Sequence, residues 1–159
     1  MFRFKLRRVA VWFAFSCLLA SCGLREPAPR NPNDLTIHEA SRDPVPGWNA
    51  LGFWDPSEGE IYVAPTAELT LDDIQSAERT RDESGRIAIS INFTKAGSEK
   101  MRKFTSEHIG KQAAIVFMGK VTNAPLILSE IRSRAVISFG ATGMPPEDAE
   151  RILGSINRN

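Results

Sequence analysis

Cys22 is the residue whose type and setting point most directly to chemistry. It closes the string Leu18-Leu19-Ala20-Ser21-Cys22. Arg3, Lys5, Arg7 and Arg8 stand ahead of an apolar run from Val9 to Ala20, and small residues follow. Basic, then apolar, then small is the order of a secretory signal. The run falls short of the ~20 residues that a comfortable spanning helix needs. An uncleaved anchor helix and an ordinary cleaved signal are the alternatives.

The remaining candidates for chemistry are sparse. His38 and His108 are the only imidazoles. His38 and Glu39 sit side by side in an expected edge strand, where neighbours point to opposite faces and cannot share a metal. His108 falls at the end of a helical stripe and reads as a cap. Neither has metal-ligand spacing. Gly-x-Ser-x-Gly is absent, and Cys17 would leave with the signal. Asp72/Asp73, Asp82/Glu83 and Glu147/Asp148 stand at helix starts and turns, where capping accounts for carboxylates. Gly140-Ala141-Thr142-Gly143 lacks the lysine of a phosphate-binding loop. The expectation is a protein that is not an enzyme, with no catalytic residue, metal or cofactor.

A cysteine directly after small residues resembles a bacterial lipobox. That resemblance implies diacylglycerol on the Cys22 thiol, cleavage between Ser21 and Cys22, and acylation of the new amine. It implies a lipoprotein held in the cell envelope by its lipid, with the folded part in the periplasm. Two acyl chains already anchor stably, at ~0.8 kcal/mol per buried methylene. Gly23 replaces the Asp associated with inner-membrane retention, which favours the outer membrane over the inner.

The elements that would stand on this anchor follow from composition and periodicity. Loss of residues 1–21 removes four basic and no acidic residues, moving the formal charge from +1 to −3. A slightly acidic chain argues against nucleic acid as partner. Residues 22–34, with Pro27, Pro29 and Pro32, read as a flexible tether. Residues 35–159 are long enough for one domain that folds on apolar burial alone, since no thiol remains to form a disulfide.

Within that domain, 35–41 reads as a short edge strand and 44–57 as an irregular segment carrying Trp48, Phe53 and Trp54. A strand is expected at 60–64. A brief helix capped by Thr70 should follow, with Leu71, Ile74 and Ala77 on its apolar side. The turn at 82–85 joins a strand near 77–82 to one at 86–94, where Ile87, Ile89, Ile91 and Phe93 alternate with smaller residues and define one buried face. A helix over 95–109 places Gly97, Met101, Phe104, Thr105 and His108 on one stripe, and Gly110 ends it. Ala113 to Met118 is an apolar strand, Gly119-Lys120 a tight turn, and Pro125 marks the returning strand as an edge or bulge. A strand at 134–139 and a helix opened by Pro145 and Pro146 complete the chain. The class is α+β: an antiparallel or mixed sheet of about five strands with two longer helices packed on one face.

Specific strings then carry a resemblance. LTLDDIQSAERTRDESGRIAISINFTKA (69–96), FTSEHIGKQAAIVFMGKVTNAP (104–125) and RAVISFG (134–140) stand in the order of the periplasmic head subdomain of SecD and SecDF, components of bacterial protein export. The chain resembles that family over 61–156. Met118-Gly119-Lys120 departs from the family's usual Asp-Gly-Lys. No apolar run long enough to span a membrane follows Cys22, so the coupling of proton flow to head movement found in SecD is not implied here.

The resemblance implies a non-enzymatic lipoprotein that binds polypeptide or a membrane-protein partner, accessory to export, with export-machinery subunits or unfolded chains as partners. The candidate partner surface is the rim of the 113–125 hairpin with Lys120, Asn123, Arg132 and Arg134. The alternative is a structural or ligand-binding envelope module, for peptidoglycan or a small molecule, with Trp48, Phe53 and Trp54 lining the site.

Overall fold

A computed structural model describes residues 35–140 and 143–157. The signal, Ser21, Cys22 and the tether lie outside the described residues. The chain runs β1 (Leu35–Ser41), β2 (Asn49–Gly52), β3 (Glu60–Val63), β4 (Ile74–Arg81), β5 (Ile87–Phe93), α1 (Lys95–Glu107), β6 (Gln112–Phe117), β7 (Lys120–Asn123), β8 (Arg134–Ile137) and α2 (Pro146–Ile156). The fold is α+β with two helices, as expected. Its strands divide between a five-stranded sheet in the order β2-β3-β1-β6-β7 and a three-stranded sheet β4-β5-β8. Every strand pair in both is antiparallel. The division rests on the non-local pairs β1–β6 and β5–β8, which hairpin spacing does not reveal.

The five-stranded sheet curls until its outer strands meet. Phe53 bridges Val121, and the Trp54 N–H donates to the Val121 carbonyl at 2.9 Å. The curl encloses a small core of Ala40, Phe53, Ile61, Val63, Ala114, Val116 and Val121. Strand β1 is the centre of this sheet and not an edge. Its polar alternation misleads, because Thr36 and His38 are buried and satisfied. The imidazole Nδ1 lies 2.8 Å from the Ala64 carbonyl, and Nε2 lies 2.9 Å from Thr36 Oγ1. Strand β6 is apolar from Ala113 onward because Ala114 and Val116 fill the curl while Ala113, Ile115 and Phe117 face a larger core outside it.

That larger core joins both sheets and both helices, and Ile89, Ile91, Ile137 and Ile152 are fully inaccessible within it. Burial of each stabilises the fold by roughly 1.5–3 kcal/mol. Helix α1 turns Gly97, Met101, Phe104 and Thr105 inward, the expected stripe, and the Thr94 hydroxyl accepts from the Gly97 N–H at 3.0 Å. Helix α2 buries Ala149, Ile152 and Ile156, and Glu150 pairs with Arg79 of β4. Strand β5 is central in its sheet, so Ala88 and Ser90 are buried along with the isoleucines, where one buried face was expected.

The helix expected after Thr70 is a single 3₁₀ turn, Leu71–Asp73, and Ile74 and Ala77 belong to β4. Spacing by threes suits either element over so short a run. Reciprocal capping closes the turn: the Thr70 N–H donates to Asp73 Oδ2 at 3.1 Å, and the Asp73 N–H to the Thr70 carbonyl at 3.0 Å. Between β6 and β7 the turn is Met118-Gly119, one residue ahead of the expected Gly119-Lys120, and both residues take positive φ, +50° and +74°, the geometry of a tight hairpin turn. Met118 occupies a position that favours Asn or Asp, and its side chain packs against the larger core.

A Cβ on Gly97 would lie 2.1 Å from the Asp73 carbonyl oxygen. Helix propensity alone makes Gly→Ala favourable by about 1 kcal/mol. The collision reverses the sign, and Gly97→Ala should destabilise by about 1–3 kcal/mol in urea denaturation. Retained or increased stability would show that the helix can shift away from the turn at little cost.

In the β4–β5 turn, hydrogen bonds hold the Asp82 carboxyl below its ordinary pKa of 3.8: from the Arg86 backbone N–H first, then the Arg86 side chain and the Ser84 N–H. A lowered folded value contributes stability that is complete above the unfolded pKa and is lost as pH falls through the folded one. The stability gap between wild type and Asp82→Asn should therefore be flat near neutrality and shrink in acid below the ordinary carboxylate range. A gap constant to low pH would remove the carboxylate from the account.

Candidate functional site

The residues singled out by charge and hairpin position each have a different partner. Lys120 lies at the hairpin tip with Nζ 5.6 Å from the Trp54 ring centre. Arg132 pairs with Glu130 at 2.5 Å. Arg134 lies across the outer face of the three-stranded sheet, donating from Nε to Ser90 Oγ at 2.6 Å and pairing with Glu78 at 3.2 Å. Asn123 connects the sheets: its Nδ2 donates to Ser138 Oγ at 3.0 Å, and its Oδ1 accepts from the Ala124 N–H at 2.8 Å.

The three aromatics are also dispersed. Phe53 is inside the curl with the Arg42 guanidinium 4.7 Å from its ring centre. Trp54 stacks on Phe117 at 6.5 Å and donates from Nε1 to the Phe117 carbonyl at 3.3 Å. Trp48 borders an open hollow of about 690 Å³ beside Glu39, Arg42, Asp43 and Lys111. Much of that hollow's charge is already paired, Lys111 with Glu39 at 2.6 Å, and the His108 Nε2 stands 3.4 Å from the same carboxylate. His108 is the C-cap residue of α1, its Nδ1 2.8 Å from the Phe104 carbonyl. Among the described residues no cluster of three or more His, Cys, Asp or Glu could hold a metal.

The geometry instead assembles a cleft between the two sheets that charge and hairpin position do not mark. Its volume is about 300 Å³, and its lining includes Ile91, Met101, Ile115, Ile127, Ile131 and Ile137 and no charged residue. The large hydrophobics exposed elsewhere as liabilities gather at its mouth: Leu126, Leu128 and Val136 are 51%, 78% and 52% accessible and all line it. The signal for it in the sequence is the run Leu126-Ile127-Leu128 directly after Pro125, three consecutive apolar residues in a connecting segment.

Local structure explains how the cleft stays open. Segment 125–127 is held to the start of β6: the Ala113 N–H donates to the Pro125 carbonyl at 3.0 Å, and the Ile127 N–H to the Lys111 carbonyl at 2.8 Å. Farther on, the buried Thr105 hydroxyl accepts from the Ile131 N–H at 2.9 Å while donating to the Met101 carbonyl at 2.8 Å. The segment therefore arches from one sheet to the other between these fastenings and the Asn123–Ser138 bond.

Opposite the arch lies β8. Ala135, Val136 and Ile137 all line the cleft, although side chains alternate between the faces of a strand. A hollow touching three successive residues must run along the strand's edge. Among the described residues β8 has no strand on that side, its one partner being β5. The other outer strand of this sheet, β4, carries Glu78, Arg79 and Arg81, charges of the kind that discourage pairing.

Comparison with known proteins places this geometry. A family model for the SecDF P1 head subdomain matches residues 49–151. The protein translocase subunit SecD of Aquifex aeolicus is 35% identical over 93 residues, 58% of this chain and 19% of that protein. The SecD of Koribacter versatilis is 30% identical over 102 residues, 64% of this chain and again 19% of the relative. The chain thus spans about a fifth of the length of these curated relatives. A solved structure of SecDF in a super-membrane-facing form superimposes with a TM-score of 0.60 at 25% identity, covering 77% of this chain and 18% of that one. A second, of a membrane component SecDF that enhances protein export, gives 0.57 at 25% identity over 76% of this chain and 60% of that one. With a match that begins at β2, runs into α2 and takes in every strand but β1, the chain belongs to the SecDF P1 head subdomain family.

Proposed function

We propose that this chain is a non-enzymatic envelope lipoprotein, anchored through Cys22, whose head binds polypeptide or a membrane-protein partner as an accessory to protein export. The observation that carries the reading is the uncharged cleft beside an unpaired strand edge in a member of this family. An exposed edge offers backbone donors and acceptors, which recognise any extended polypeptide irrespective of sequence. The apolar lining adds affinity in proportion to the area it removes from water, about 25 cal/mol per Å². Asn123 and Arg134 take part as the residues that fasten the ends of the arch and cover the outer sheet face, and Lys120 and Arg132 stand on the surrounding surface. The ligand-binding alternative built on Trp48, Phe53 and Trp54 draws no support from their separate environments.

A photo-crosslinker at Leu128 or Val136, in intact cells carrying a secretory chain arrested in translocation, should capture that chain. The same probe at exposed Ser57, in the Pro56–Glu58 turn, should not. Equal yields at both positions, or none at Leu128 and Val136, would sink the polypeptide reading. The anchor is tested separately: radiolabelled palmitate should enter the wild type and be absent from Cys22→Ser. Incorporation into both would show that Cys22 is not the lipidated residue.

A further inference from the structure

The two faces of β8 are chemically unlike, and we infer that the cleft selects among extended segments by period-two patterning, accepting apolar residues at alternate positions with polar residues between them. This deepens the polypeptide reading and rests on it.

The argument begins with the backbone. The Phe93 N–H donates to the Ser133 carbonyl at 3.0 Å, and the register continues through Asn92–Arg134, Ile91–Ala135, Ser90–Val136 and Ile89–Ile137. Hydrogen-bonded and non-hydrogen-bonded pairs alternate in an antiparallel ladder. Residues 133, 135 and 137 therefore spend their backbone groups on β5, and Arg134 and Val136 direct theirs to the open side.

A guest strand pairing there must send successive side chains to opposite faces. One set joins Ala135 and Ile137 over Ile91, Met101, Ile115 and Ile127, where no lining residue carries a charge. A charged side chain placed there would be desolvated without a partner, a cost of several kcal/mol even after relaxation. The other set joins Arg134, Val136 and Ser138. On that face the Arg134–Glu78 pair and a hollow of about 420 Å³ lined by Arg81, Asp82, Glu83 and Arg86 keep both signs of charge at hand. Those charges are themselves paired, Arg86 with Asp82 at 2.8 Å and Arg134 with Glu78 at 3.2 Å, and the face is open, so polar side chains of either sign stay solvated there without the desolvation that the other face imposes. This distribution of charge, none on one side and both signs on the other, complements an alternating strand and not a uniformly apolar segment.

Size agrees with pattern. A cavity of ~150 Å³ holds a benzene molecule, so about 300 Å³ accommodates two large inward side chains. Two is also the number that four residues of β8 present to each face. The Asn123–Ser138 and Thr105–Ile131 hydrogen bonds tie the arch on which the opposite wall is built. The preferred guests are thus segments with the alternation of half-buried antiparallel strands.

The test uses the full-length protein in lipid nanodiscs, with empty nanodiscs subtracted. Two fluorescently labelled nonapeptides of identical composition are titrated by anisotropy, one alternating leucine with serine, threonine and glutamate, the other with its leucines grouped. The alternating peptide should bind at least ~10-fold more tightly, equivalent to 1.4 kcal/mol. N-methylation of its alternate backbone nitrogens along one edge should abolish that advantage. Val136→Pro, which removes an outward N–H at a position where edge strands tolerate proline, should weaken the alternating peptide several-fold in protein whose circular dichroism is unchanged. Equal binding of the two peptides would overturn the patterning inference while leaving the polypeptide reading in place. Binding of neither at millimolar concentration would overturn both.

Discussion

Helix α1 can approach the turn ahead of β4 only because position 97 has no side chain. The Gly97 backbone rests against the Asp73 carbonyl, and Asp73 in turn receives the Thr94 N–H at 2.9 Å and pairs with Lys100 at 2.8 Å. One buried carboxylate and one missing methyl therefore register the helix against the start of its sheet. Everything farther along the helix inherits that register. Met101 and Phe104 reach the larger core, and Thr105 arrives where its hydroxyl can take the Ile131 N–H. The wall of the cleft is positioned by a contact made two turns earlier on the same stripe of the helix.

The two sheets solve the edge problem in opposite ways. The larger one closes on itself through Phe53 and Val121, so its backbone groups are consumed internally, and its interior tolerates Thr36, His38 and Thr122 because each is hydrogen-bonded. The smaller one stays open, with one edge protected by charge and the other lined by aliphatic residues. A closed sheet supplies rigidity, and an open one supplies a place to bind. On the proposed reading, the lipid anchor holds that open edge close to the membrane surface.

Much of the architecture could be read from residue order, because the signals were local. The β5 alternation, the α1 stripe, the Pro-initiated α2 and the Gly119 turn each depend on neighbours within a turn or a hairpin. What could not be read was non-local. Strand β1 looks like an edge because His38 and Thr36 alternate with apolar residues, and only pairing with β3 and β6 makes those positions interior. Leu71, Ile74 and Ala77 mimic a helix because a spacing of three over so few residues does not separate helix from strand. The cleft is non-local in the same way. Lys120, Asn123, Arg132 and Arg134 follow from hairpin position in the sequence, whereas the cleft is made by aliphatic residues from both sheets, α1 and a connecting segment, whose meeting is purely tertiary. Asn123 proved informative for another reason, as a fastening between sheets.

The brevity of β8 has a consequence for the protein's own solubility. An apolar strand edge left open among the described residues is also a template on which unfolded chains, or further copies of the same protein, could stack into ordered aggregates. Steric-zipper assembly draws on segments of about six or seven residues, and β8 offers four, Arg134–Ile137, begun by an arginine. On the proposed reading such an edge is long enough to hold a passing segment and too short to propagate a fibril, so the length of one strand would separate binding a chain from seeding its precipitation.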